Sequence, residues 1–77
     1  MATIQKLWFD SERIWITTDE GQTFSRPLEA FPTLKDATEA QRLAFEIGRM
    51  GDDVRWKEID EDIHISSFYD TEEPDYD

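Results

Sequence analysis

Ile4-Gln5-Lys6-Leu7-Trp8-Phe9, then Asp10-Ser11-Glu12-Arg13, then Ile14-Trp15-Ile16-Thr17-Thr18, reads as two strands joined by a tight turn. Ile14 and Ile16 alternate with Trp15 and Thr17, the period of two by which a strand sends neighbouring side chains to opposite faces. Asp19-Glu20-Gly21 is a second turn, with Gly21 free to take a positive φ. Gln22 to Arg26 makes a short third strand, closed by Pro27, which has no N–H to give a ladder. Three strands joined in this way form an antiparallel meander.

Beyond the meander, Leu28-Glu29-Ala30-Phe31 can make one helical turn, broken where Phe31 precedes Pro32. Thr38-Glu39-Ala40-Gln41 has the form of a capping box, so a helix is expected to start there. Leu43, Ile47 and Met50 follow at i, i+4, i+7 and predict an amphipathic helix that ends at Gly48 and Gly51 and packs on one face of the meander. Val54 to Trp56 and Ile63 to Ile65 are short strand candidates around the acidic turn Glu58 to Asp62. The expected fold is α+β: a three-stranded antiparallel β-meander, one amphipathic helix packed on it, short C-terminal strands and an acidic tail. Residues 1–69 form the single domain, and 70–77 have the low hydropathy and high charge of a disordered tail.

The 77 residues carry a formal net charge of −11, distributed unevenly. Asp52 to Asp77 holds eleven acids against Arg55 and Lys57, whereas Met1 to Gly51 holds eight acids against six bases. Such a surface repels nucleic acid and anionic membrane and attracts basic protein surfaces. There is no cysteine, hence no disulfide and no thiolate metal site. Met1-Ala2-Thr3-Ile4-Gln5-Lys6 lacks the apolar core of a secretory signal, and no apolar run is long enough to span a membrane. A soluble cytoplasmic protein is expected.

The residues that could carry chemistry each also have a plain structural role open to them. In an extended segment Asp60, Asp62 and His64 share a face and could hold a divalent ion, but the spacing and central glycine of an EF-hand are missing, and a turn with a surface histidine is the simpler reading. His64 and Ser66 share a face without an obvious third orienting group, and no Gly-x-Ser-x-Gly elbow occurs. Catalytic residues, a metal and a cofactor are therefore not expected. Trp8 and Phe9 must face opposite sides of their strand, the outward one to be covered by the helix or a flanking segment. Exposed, they would be a protein-binding hot spot.

Asp52, Asp53, Glu58, Asp60, Glu61 and Asp62 place six carboxylates within eleven residues, and the tail adds Asp70, Glu72 and Glu73 among its five. They solubilise a small protein. They also suit charge mimicry, because a basic groove built for DNA, with one charge per ~1.7 Å of axis, accepts an ordered carboxylate array.

Trp8-Phe9-Asp10 through Arg13-Ile14-Trp15, Pro27-Leu28-Glu29-Ala30-Phe31-Pro32, Ala37-Thr38-Glu39-Ala40-Gln41-Arg42 and Trp56-Lys57-Glu58-Ile59-Asp60-Glu61-Asp62-Ile63 together resemble the bacterial domain-of-unknown-function family 2442. The resemblance spans roughly Ile4 to Phe68. It implies a small α+β fold and a short, cytoplasmic, non-enzymatic protein, of a kind found in toxin–antitoxin-like gene neighbourhoods. Members tend to have a Gly-rich link where this chain reads Arg49-Met50-Gly51-Asp52-Asp53-Val54-Arg55, and the acidic tail extends past their usual end. The expected function is that of a non-catalytic acidic inhibitor, antitoxin-like or anti-CRISPR-like. It would dock as a monomer on a basic, nucleic-acid-binding surface of a partner protein through Asp52, Asp53, Glu58, Asp60, Glu61, Asp62, Asp70, Glu72 and Glu73. Direct nucleic-acid or membrane binding is not expected. The competing readings are a metal-binding domain centred on Asp60, Asp62 and His64, and a structural homodimer formed through a strand edge beside Trp8 or Trp15.

Overall fold

The meander forms as its sequence pattern requires. In the computed structural model, which describes residues 2–69, strands β1 (Ile4–Phe9), β2 (Arg13–Thr18) and β3 (Thr23–Pro27) make one antiparallel sheet in the order β1-β2-β3. Ile14 and Ile16 are fully buried, and Trp15 between them points outward. A bulge between Ile4 and Lys6 shifts the β1–β2 register. It explains why the buried residues Ile4 and Leu7 are three apart rather than two. Gly21 takes φ +84° in the second turn. The buried Thr18 organises that turn, its Oγ1 accepting from the Glu20 and Gln22 N–H groups at 3.3 Å each.

A 3₁₀ turn (Leu28–Ala30) and helices α1 (Pro32–Lys35) and α2 (Glu39–Leu43) follow. A second antiparallel sheet has the order β4-β5-β6, with β4 (Glu46–Ile47), β5 (Asp53–Trp56) and β6 (Glu61–His64). Helix α3 (Ser66–Tyr69) comes last. Both sheets feed one core of Ile4, Leu7, Ile14, Ile16, Leu28, Leu34, Val54, Trp56, Ile63, Ile65 and Phe68. The fold is α+β. The expected acidic tail, 70–77, lies outside the described residues.

The expected long amphipathic helix is corrected. Its capping box is present, Thr38 Oγ1 accepting the Gln41 N–H at 3.0 Å and Gln41 Oε1 the Thr38 N–H at 2.9 Å. The helix then ends at Leu43, and none of its residues is buried. Ile47 joins β4, and the stripe of Leu43, Ile47 and Met50 is left 59%, 36% and 74% exposed. Phe45 supplies the reason. Two residues on from Leu43, it would sit on the opposite side of a continued helix, in water. Breaking the helix at Ala44 lets the Phe45 ring pack at 6.2 Å from Trp56 and gives Val54 and Arg55 a paired neighbour strand. Phe45 is only partly buried, but even part of the ~1.5–3 kcal/mol of a fully buried ring, with its contact to Trp56, outweighs the last turn of a short helix. The meander is therefore covered by the second sheet and the short helices, and not by one long helix.

Candidate functional site

The β5–β6 hairpin carries the acidic residues, and its register fixes where each one points. Val54, Trp56 and Ile63 face the core, whereas Arg55, Asp62 and His64 are exposed. Trp56 pairs with Glu61, Arg55 with Asp62, and Asp53 with His64. The turn closes through Asp60 N–H to Lys57 O at 3.3 Å, with Asp60 at φ +55°, a left-handed conformation that aspartate tolerates better than most residues. Glu58, Asp60, Glu61 and Asp62 thus gather at the turn end. Asp52 and Asp53 lie at the opposite end, about 10 Å away along β5.

Asp60, Glu61 and Asp62 line a hollow of about 370 Å³ together with Arg55, Trp56 and Lys57. The Glu61 carboxyl is pushed above the ordinary range, first by burial and then by the charges of Asp62 and Asp60. Lys57 reaches away to Glu46 at 3.4 Å, an exposed pair of small energetic value. Glu58 accepts a long 3.4 Å hydrogen bond from Gln41 Nε2, which ties the turn to α2. Asp70, Glu72 and Glu73 lie outside the described residues.

His64 is not grouped with Asp60 and Asp62. Asp60 sits in the turn, off the strand, and among the described residues no three His, Asp or Glu side chains come together to hold a metal. The neighbours of His64 are instead Ser66 and Asp52. The Ser66 N–H donates to His64 Nδ1 at 3.1 Å and Ser66 Oγ lies 2.9 Å from the same atom. Nδ1 therefore acts as acceptor, and the proton on Nε2 faces Asp52 Oδ2 at 3.5 Å. Asp52 is the third group that sequence reasoning missed, because antiparallel pairing and not spacing brings it there. All three side chains are open to solvent, and the Ser66 N–H is spent on the imidazole. The arrangement fastens the start of α3.

The aromatic pair resolves as Phe9 in and Trp8 out. Phe9 packs edge-on to Trp56 at 6.4 Å. Trp8 stays 37% exposed, so the expected cover is missing. It stacks parallel to Trp15 at 6.0 Å, with Lys6 Nζ 5.9 Å from its ring centre. Asp10 anchors this corner: Oδ2 accepts the Trp15 Nε1–H at 2.8 Å and Oδ1 the Glu12 and Arg13 N–H groups. These bonds hold its carboxyl below the usual range, the Glu12 N–H contributing most.

The family model of the protein of unknown function DUF2442 matches residues 4–74. The chain belongs to the DUF2442 family. A similar solved structure is that of a protein of unknown function from Rhodospirillum rubrum ATCC 11170, 25% identical, with a TM-score of 0.75 over 90% of this chain and 86% of that one. No curated protein matches. The DUF2442 match runs through Pro74, so most of the acidic C-terminal stretch falls within the family's own length and is not an addition to it. Among the described residues of this DUF2442 protein, no helix is long and apolar enough to cross a membrane.

Proposed function

We propose that this DUF2442 protein is a non-catalytic, cytoplasmic binding protein that docks as a monomer on a basic, nucleic-acid-binding surface of a partner protein. There it acts as an inhibitor, antitoxin-like or anti-CRISPR-like, by occupying the groove meant for a phosphate backbone. One observation supports this reading above the others. The Glu61 carboxyl is pushed up first by burial and then by the charges of Asp62 and Asp60, so the hairpin tip holds three neighbouring carboxylates in place beside Arg55 and Lys57. Folding that assembles such a tip stores repulsion that a basic surface relieves. The tight turn fixes these charges beforehand, which reduces the ordering entropy lost on docking.

The test begins with capture of a partner from the source cell. Association kinetics are then measured for the wild type and for a Glu58→Lys, Asp60→Lys, Glu61→Lys, Asp62→Lys variant across a salt series. The reversal should slow association by at least about tenfold and flatten its salt dependence, because charge steering acts on the on-rate. Wild type should also displace DNA or RNA from the partner. An unchanged on-rate in the quadruple variant, or a partner whose nucleic acid is not displaced, overturns the reading.

A further inference from the structure

Helix α2 is an odd element: none of its residues is buried, yet it is fastened at both ends. The capping box holds its start. Arg42 donates from Nε to Leu34 O and from Nη2 to Lys35 O, both at 2.9 Å, and Trp56 Nε1–H donates to Arg42 O at 2.8 Å. Leu43, 59% exposed, is therefore presented to solvent by a fixed element and not by a frayed one.

Between α2 and the end of β1 lies a hollow of about 310 Å³, lined by Trp8, Phe9, Asp10, Glu39, Arg42 and Leu43. Its apolar walls are the exposed side chains Trp8 and Leu43 and the partly buried Phe9. Its rim carries two carboxylates against one guanidinium. Two of that guanidinium's three nitrogens are committed to backbone carbonyls, and its charge sits 5.8 Å from the Phe9 ring. The volume is at the low end of ligand sites and suits one long side chain.

We infer that this hollow is an anchor site for a lysine or arginine side chain of a basic protein partner, its methylene stem lying between Trp8 and Leu43 and its cationic head meeting Glu39 and Asp10. The inference rests on the proposed docking to a basic surface and adds a second, apolar point of attachment. Long cationic side chains cover apolar surface with their stems while the head stays solvated, which is the chemistry these walls and this rim offer. A chain of net charge −11 favours such an occupant over an anionic one.

The test is a two-dimensional ¹H–¹⁵N titration of the full chain with hexa-arginine amide, read at the three tryptophan indole signals and at the hairpin amides. The Trp8 indole should shift and saturate while that of the buried Trp56 stays in place. Leu43→Ser should weaken the Trp8 response about tenfold, and Glu39→Gln should weaken it by a smaller factor, because hot-spot truncations cost about that much. Both residues are exposed, so the fold tolerates either change. Shifts confined to Glu58–Asp62 would overturn the anchor site and leave the acidic docking reading standing. Shifts at neither place would overturn both. A Trp8 signal that moves with protein concentration alone would mean that a second copy of the chain fills the hollow, and would also overturn the inference.

Discussion

Replacing Trp56 by Phe removes one donor and keeps an aromatic ring, so it isolates what fastens α2. The indole N–H donates to the Arg42 carbonyl at 2.8 Å, and the side chain is 1% exposed. Leaving that carbonyl unpaired costs ~1–3 kcal/mol. The smaller ring also leaves a void between Phe9 at 6.4 Å and Phe45 at 6.2 Å, for which ~1 kcal/mol is reasonable. Together the loss is about 2–4 kcal/mol, and a chain of this size shifts its Tm by ~4–8 °C per kcal/mol, giving a fall of roughly 8–32 °C.

Urea unfolding measures the global loss, and amide hydrogen exchange across residues 38–44 measures the local one. Both should respond, because the bond links the core to an element with no buried side chain of its own. Phe45→Leu is the control: it removes packing against Trp56 but no hydrogen bond, so stability falls while α2 exchange holds relative to the rest of the chain. A Trp56→Phe loss under about 1 kcal/mol with unchanged exchange in α2 would refute the claim that this bond fastens the helix.

Asp10→Ala should lower Tm at neutral pH. The Asp10 carboxyl is held below its ordinary range, so its stabilising effect is present above the unfolded pKa of about 3.9 and is lost as pH falls through the folded value. The gap between variant and wild type should therefore close in acid, as thermal melts across a pH series would show. Glu61→Gln should do the reverse. A raised folded pKa favours the protonated state, so wild type loses stability as pH rises through that value; the variant should be the more stable at pH 7 and equal to wild type below about pH 4. Gly51→Ala should cost at least about 2 kcal/mol, because φ is +77° and a Cβ would meet Thr3 Cβ at 2.7 Å. Gly21→Ala, at φ +84° but facing open space, should cost only about 1 kcal/mol in the same urea assay.

Local signals proved legible in proportion to how local their physics is. The alternation of Ile14-Trp15-Ile16, the glycine of the second turn and the Thr38–Gln41 capping box each depend on neighbours within four residues, and each stands where its pattern puts it. The extent of α2 is a different matter. Leu43, Ile47 and Met50 satisfy helical spacing, but Phe45 has a better place against Trp56, and that competition turns on a ring eleven positions away in sequence. A periodicity count sees the stripe and not the rival burial site. The bulge after Ile4 is similar: the three-residue step between buried Ile4 and Leu7 makes sense only once the partner strand sets the register.

The same distinction governs the acidic residues. Counting carboxylates shows that the C-terminal part is negative, but a strand turns every second side chain to the other face, so consecutive acids cannot all project one way. Glu61 is drawn beside Trp56 while Asp62 faces out opposite Arg55, and Asp52 is spoken for by His64. What remains for a partner to meet is the turn end, where Asp60 adopts a left-handed backbone, Glu58 and Asp60 are free of strict alternation, and Asp62 is on the outward face of β6. Any docking role for the described acids must therefore act through the tip of the hairpin and not along its length. Reversing Asp60 and Asp62 alone should then slow association nearly as much as the quadruple change, whereas reversing Asp52 and Asp53 should leave the rate within about twofold of wild type.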